Sequence, residues 1–108
     1  MGALDLKAAA ERGDRESQFA WAESLYHNAK PEDQIEAARW YEKAAHSGHA
    51  GAQFKYGLIH FLGRGVKQDH EIAMAWFTRA AEEGISGAQY HCGVMYENGS
   101  GVKRDLAA

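Results

Sequence analysis

Six histidines and one cysteine are the residues of this chain whose chemistry suits metal binding or nucleophilic catalysis. A zinc site needs ligands that converge from compatible spacing, such as positions i and i+4 on one helical face. The histidines are His27, His46, His49, His60, His70 and His91. No two of them are four residues apart, and Gly48 separates the closest two. We therefore predict that the chain binds no metal ion and no other cofactor.

Cys92 is the single cysteine, so an internal disulfide is excluded. A nucleophilic cysteine needs a nearby base and electropositive surroundings, whereas the adjacent His91 should point elsewhere on a helix. In the sequence repeat described below, Cys92 aligns with Tyr56 and Trp21, which instead predicts a buried or half-buried core position. The acidic pairs at 32–33 and 82–83 lie at predicted helix ends, where the helix dipole or water accounts for them. Since no acid, base and oxyanion donor can be grouped, we predict no catalytic residues and no enzyme.

Composition and charge narrow the class of partner. The chain has 108 residues, 45% of them apolar and 11% aromatic, which is typical of one folded domain. Its net charge is −3 with the signs interspersed, so we expect no nucleic acid partner. No apolar stretch approaches the ~20 residues of a membrane span, so we expect no membrane insertion. A signal peptide pattern is missing, and both a cytoplasmic and a cell-envelope location stay open.

A shift of 36 residues superimposes most glycines of the sequence on one another. The pairs are Gly48 and Gly84, Gly51 and Gly87, Gly57 and Gly93, Gly63 and Gly99, and Gly65 and Gly101. Trp40 falls on Trp76 in the same register, and Gly13 joins the Gly48 position after one deletion. Self-similarity at such a period is typical of stacked helical hairpins.

Each repeat unit contains the signals of two helices. The apolar period and the glycines predict first helices at 15–27, 50–62 and 86–98, and second helices at 34–47 and 70–83. Asp33, Asp69 and Asp105 each precede a second helix, where we expect them to act as N-caps. Gly48 and Gly84 follow the second helices and should close them.

Glycines inside and after the first helices also have predicted roles. Gly57 and Gly93 lie within first helices, where we expect them to let a neighbouring helix approach closely. The turn Gly63-Arg64-Gly65-Val66, echoed at 99–102, should reverse the chain, with its valine filling the end of the hairpin. The first unit departs from this pattern, because Ala22 replaces the helix glycine, Leu25 replaces the aromatic, and residues 28–32 replace the turn.

Two strings of residues carry a family resemblance. They are Ala88-Gln89-x-x-x-Gly93-x-x-Tyr96-x-x-Gly99-x-Gly101-Val102-x-x-Asp105 and Ala73-x-x-Trp76-Phe77-x-x-Ala80-Ala81-x-x-Gly84. Both resemble the signature of Sel1-like repeats, which are relatives of the tetratricopeptide type. The resemblance implies an all-α fold, a right-handed α/α superhelix of antiparallel helix hairpins.

The repeat register divides the chain as one array over 1–108. We predict the end of a preceding second helix at 1–13, a divergent repeat at 14–48, a full repeat at 49–84 and a partial repeat at 85–108. Solenoids need capping repeats with a polar outer face, and neither end supplies one. We therefore expect part of a longer array. The alternative is a hairpin completed by another molecule, which gives a dimer through helix 86–98.

The resemblance also implies a binding face. First helices line the concave face of tetratricopeptide-like arrays, which usually takes an extended or helical ligand. Carried over to this chain, the groove residues are Phe19, Glu23, Tyr26, Phe54, Leu58, Phe61, Tyr90, Val94 and Glu97. Such aromatic residues with acidic ends suit a peptide side chain and a basic group. In the alternative interpretation, Phe19, Phe54 and Tyr90 pack between adjacent helices, and the two glutamates are solvated.

The implied function is a protein–protein interaction module, an adaptor, scaffold or inhibitor-type protein that binds another protein or peptide by its concave and end faces. One alternative is an immunity-type protein that neutralises a toxin by binding it. A cell-wall or β-lactam-related hydrolase is a weaker alternative, since such relatives are cysteine-rich arrays held by disulfides. A structural spacer within a larger polypeptide is the remaining alternative.

Overall fold

The computed structural model describes residues 3–101, with side chains from residue 5 onward. This part of the chain contains six α-helices and no strand. They are α1 Ala3–Glu11, α2 Arg15–Tyr26, α3 Pro31–His46, α4 Ala50–Leu62, α5 His70–Glu82 and α6 Ser86–Asn98. Each helix packs chiefly against its neighbours in sequence. The chain is an all-α helical-repeat solenoid, as the 36-residue period predicts, with α2, α4 and α6 as first helices and α3 and α5 as second helices.

The start of α3 differs from the prediction. This helix begins at Pro31 instead of residue 34, because proline fits the first helical position, where no N–H is required. Lys30 therefore occupies the N-cap position, and the Asp33 carboxylate accepts a hydrogen bond from Asn28 Nδ2 at 3.1 Å. The prediction that Asp33 caps the second helix is wrong.

The other predicted cap residues within the described chain agree with the structure. Asp69 caps α5, since its Oδ1 accepts from the Ile72 N–H at 2.9 Å. Gly48 and Gly84 follow α3 and α5 with φ of 91° and 88°, as expected of glycines that end a helix. Asp105, the third predicted cap, lies outside the described residues.

The core consists of two clusters of buried side chains. The larger cluster combines the apolar stripe of α3, including the fully buried Tyr41, with residues of α2 and α4, and it also includes Ala10 of α1 and Trp76 of α5. The smaller cluster is Ala73, Met74, Phe77 and Met95. The stripe alanines Ala37, Ala44, Ala45, Ala73 and Ala80 are at most 1% exposed, so the neighbouring helices pack closely against these stripes.

Gly57 is a position where the second helix α5 lies close to the first helix α4. A Cβ on Gly57 would lie 2.9 Å from Cδ1 of Phe77, which is so close that the Phe77 ring or the backbone would have to shift. This confirms the predicted role of Gly57. A Cβ on the equivalent Gly93 would meet no described atom within 4 Å, so no close approach is seen there.

The turn after α4 lies against the beginning of α3. Gly63 and Gly65 have φ of 73° and 76°, and a Cβ on Gly65 would lie only 2.2 Å from the Gln34 carbonyl oxygen. Val66 packs against the larger core cluster, as predicted. In the first unit, where no such turn exists, Gln34 Nε2 donates to the carbonyl of Tyr26 at 2.8 Å and also to that of Asn28. The side-chain amide of Gln34 thus bonds the end of the first helix in the first unit, at the place where the next unit has its glycine-containing turn.

Among the described helices, none combines the length and the apolar character that a membrane crossing requires.

Candidate functional site

The nine predicted binding residues lie on α2, α4 and α6, three on each helix. On each helix they are at positions i, i+4 and i+7, which share one helical face. We call this surface the first-helix groove. Seven of the nine side chains are half-buried, while Tyr90 and Glu97 on α6 are exposed. The surface therefore offers apolar side chains that are held in place and still partly reach solvent.

Two of the three equivalent aromatics make contacts between consecutive first helices. Phe19 on α2 stacks on His49, just before α4, with ring centroids 4.4 Å apart. A Cβ on Gly87 of α6 would lie 3.0 Å from Cζ of Phe54 on α4. Tyr90, at the same position on α6, is 70% exposed. The contacts of Phe19 and Phe54 are those of the alternative interpretation, in which these rings pack between helices.

A charged cluster lies at the α2–α4 part of the groove. The Tyr41 hydroxyl donates to Glu23 Oε1 at 2.5 Å, and Lys55 Nζ lies 3.7 Å from the same carboxylate oxygen. Lys55 Nζ is also 5.1 Å from the centroid of the Tyr26 ring, and the Arg64 guanidinium is 4.2 Å from it. We call Glu23, Tyr26, Lys55 and Arg64 the cationic section. Glu23 is thus a bonded, half-buried carboxylate, unlike the solvated charge of the alternative interpretation.

Arg64 is held in the cationic section by neutral oxygens. Its Nε donates to Oε1 of Gln34 at 3.1 Å, and its Nη2 lies 3.5 Å from the carbonyl oxygen of Tyr26. Within residues 3–101, no carboxylate forms a salt bridge with this guanidinium. The section therefore has two cations and one carboxylate, and its net charge is positive.

Burial keeps two tyrosines protonated beside carboxylates. It raises the pKa of Tyr41 far above its usual value, and the hydrogen bond to Glu23 adds to this effect. Burial likewise raises the pKa of Tyr56 to about 12, with a contribution from the hydrogen bond to Glu42. Tyr41 consequently stays a hydrogen-bond donor that fixes the position of the Glu23 carboxylate.

The next part of the groove has the same geometry and different chemistry. One repeat further along, Leu58 replaces Glu23, Phe61 replaces Tyr26 and His91 replaces Lys55. The His91 ring stacks on Phe77 with centroids 5.0 Å apart and lies 5.8 Å from the Phe61 ring. We call Leu58, Phe61, His91 and Val94 the apolar section. It contains no carboxylate and no lysine or arginine.

Lys55, Arg64 and His91 were not among the predicted groove residues. Lys55 and His91 directly follow Phe54 and Tyr90, which are equivalent aromatics of consecutive repeats. This shared position could have identified both residues as part of the groove. Arg64 is the variable residue between the two glycines of its turn. Its contact with Tyr26 depends on how that turn crosses the preceding repeat, which spacing does not reveal.

Core packing or helix capping accounts for several of the residues considered above for chemistry. Cys92 is a half-buried free thiol against the smaller core cluster, as its equivalence to Tyr56 predicts. His49 Nδ1 accepts from the Ala52 N–H at 3.0 Å, so this ring caps α4. His60, expected to be partly buried, is 8% exposed. Within residues 3–101, no three side chains of His, Cys, Asp or Glu are grouped as a metal site requires.

Surface depressions of the described chain include a group beside α3. Three of them, of about 450, 550 and 250 Å³, share Ile35 of α3 in their lining. None of the nine predicted residues lines any of the three.

Two solved structures share this architecture. A protective antigen of uropathogenic Escherichia coli with an SLR fold superposes with a TM-score of 0.87 at 37% identity, covering 93% of this chain and 21% of that one. A Sel1 repeat protein from Oxalobacter formigenes superposes with a TM-score of 0.85 at 35% identity, covering 95% of this chain and 43% of that one. The chain therefore spans about a fifth and about two fifths of these proteins. No curated protein matches it.

The family model of the Sel1 repeat matches three consecutive segments, residues 15–49, 50–85 and 86–108. These matches begin at α2, α4 and α6, so each starts with a first helix of the structure. Sequence, helix order and superposition agree that this chain belongs to the Sel1 repeat family.

Proposed function

We propose that this chain is a protein-interaction module that binds a segment of a partner protein along the first-helix groove. Sel1 repeat proteins generally act as protein–protein interaction modules and are typically non-catalytic scaffolds. The observation that carries the proposal is the groove itself. Consecutive repeats hold a cationic and an apolar section side by side, and all of their side chains are half-buried except that of Arg64, which is exposed.

The groove supports binding with little rearrangement. Its side chains project from helices whose opposite faces are buried in the core, so their positions are largely set before a partner arrives. A partner's apolar side chain at Leu58 and Phe61 would gain about 25 cal/mol for each Å² of apolar surface removed from water. Charged groups at the adjacent section would set orientation and specificity.

Selection of binders from a displayed random peptide library tests this proposal. Peptides that bind the wild-type chain are re-measured on Leu58→Glu, which places a charge in the apolar section. The matched control is Ala75→Glu, on an exposed position of α5. We expect binding to weaken about tenfold or more on Leu58→Glu, because a charge would have to be buried in the contact, and to stay unchanged on Ala75→Glu.

Circular dichroism of both variants separates binding from folding, and photocrosslinking from position 94 of an otherwise wild-type chain provides a second measure of the site. A library that yields no binder, or binders equally tight on Leu58→Glu and wild type, contradicts the proposal.

The exposed face of α6 is a second surface for association. Tyr90 and Tyr96 are 70% and 66% exposed, and a Cβ on Gly93 would meet no described atom within 4 Å. An exposed aromatic face of this kind would suit the dimer through helix 86–98, which is the alternative to part of a longer array and stays a prediction. Sedimentation that shows a strict monomer over a wide concentration range would exclude it.

A further inference from the structure

We propose that the cationic section binds the acidic side chain of an extended partner segment, and that the apolar section takes an apolar side chain about three residues away. The inference rests on the proposed function and names the chemistry of the partner. It differs from the expectation that Glu23 recognises a basic group, since Glu23 already accepts from Tyr41 and faces Lys55.

Arg64 is the main residue of the cationic section for binding the partner's acidic side chain. Its guanidinium lies over the Tyr26 ring and bonds only neutral oxygens, so it is held in place with its charge uncompensated. A guanidinium has five N–H donors, of which the structure uses two. Because the planar group is already oriented, a carboxylate would bind it with little further loss of side-chain entropy.

Lys55 adds a second positive charge beside the same ring. Its ammonium group is 3.7 Å from Glu23 Oε1, and the two side chains are 25% and 28% exposed. One carboxylate does not use all three ammonium donors, so Lys55 keeps donors for a ligand. An acidic side chain along the edge of Tyr26 would lie in the field of both cations.

The apolar section determines what the neighbouring residue of the partner must be. At the positions of Glu23 and Lys55, the next repeat has Leu58 and His91, and the His91 ring lies among Phe61 and Phe77. A charged partner side chain would lose water there without gaining an opposite charge. An aliphatic or aromatic side chain is therefore the better ligand for this section.

The spacing between the two sections follows from helix dimensions. Consecutive first helices lie about one helix diameter apart, which is ~10–12 Å. An extended chain advances ~3.3 Å per residue, so about three residues connect the two sections. The recognised pattern is an Asp or Glu and an apolar residue three positions apart, in an internal segment that needs no free terminus.

The test uses peptides selected on the wild-type chain from a random library with blocked ends. We expect an acidic residue and an apolar residue three positions apart to be enriched among them. Arg64→Gln should weaken their binding about tenfold, and Lys55→Gln somewhat less, because each removes a charge-assisted contact. Affinity should also fall as NaCl rises.

Two matched controls exist in the second helices. Arg79 lies 4.7 Å from the Trp76 ring and Lys43 5.0 Å from the Trp40 ring, so each is a cation over an aromatic outside the groove. Arg79→Gln and Lys43→Gln should leave affinity unchanged. Equal losses for Arg64→Gln and Arg79→Gln, or selected peptides without acidic residues, would overturn the inference.

The outcomes also separate this inference from the function on which it rests. Peptides that depend on Leu58 but not on Arg64 or Lys55 would overturn the acidic-group proposal and leave the groove as the binding site. Peptides that depend on neither section would overturn both. A Glu23→Gln variant adds an independent readout, since removing the competing carboxylate should tighten binding of the acidic peptides severalfold.

Discussion

At the scale of single residues, equivalent positions of this repeat protein have different surroundings. Lys55 and His91 occupy one position in consecutive repeats, yet one faces a carboxylate and the other an aromatic ring. Gly57 and Gly93 form a similar pair, because only Gly57 is in contact with a second helix within the described residues. Repetition in sequence therefore predicts backbone position, whereas the neighbour in the fold decides what each side chain does.

The two glycines make a paired prediction about stability. Gly57→Ala should lower the free energy of unfolding by about 1–3 kcal/mol, since the added methyl would lie 2.9 Å from the buried Phe77 ring. Gly93→Ala should instead raise it by up to about 1 kcal/mol, because alanine is the better helix former and no described atom lies within 4 Å. Urea denaturation of both variants measures the difference. Changes of the same sign and size would show that the approach of α5 to Gly57 is not as close as described.

At the scale of elements, local signals predict most helix bounds because each helix carries its own start and stop residues. Predicted first helices at 50–62 and 86–98 coincide with α4 and α6. The start of α3 was mispredicted because Pro31 and Asp33 are competing start signals, and the proline occupies the first helical position. The groove was only partly predictable, since a periodic pattern identifies Tyr26 but not the Arg64 turn that crosses over it.

The two aspartates of the second helices should therefore respond differently to substitution. Asp69→Ala should lower the free energy of unfolding by about 1 kcal/mol, because it removes the acceptor of the Ile72 N–H at the start of α5. Asp33→Ala should cost only a few tenths of a kcal/mol, as Asp33 bonds an exposed side-chain amide and caps no helix. Thermal unfolding at neutral pH followed by circular dichroism compares the two. If Asp33→Ala lowered the free energy of unfolding more than Asp69→Ala does, the predicted capping role of Asp33 would be supported after all.

At the scale of the whole molecule, the chain behaves as a one-dimensional stack. Helices contact chiefly their neighbours in sequence, and the buried residues form two clusters. In such arrays, stability is a sum of repeat and interface contributions. Local damage should therefore open the part of the stack that contains it and spare the rest, unlike in a domain with one shared core.

Two core truncations test this behaviour. Met95, 1% exposed, belongs to the smaller cluster, and Leu25, 6% exposed, belongs to the larger one. Each change to alanine should cost about 2–5 kcal/mol. Native-state hydrogen exchange should then show faster exchange in α5 and α6 for Met95→Ala, and in α2 and α3 for Leu25→Ala, because each substitution weakens only the helices that its side chain joins. Uniform loss of protection along the chain in both variants would mean that the clusters unfold as one unit. In that case the cationic and apolar sections, which lie over different clusters, would also form and disappear together.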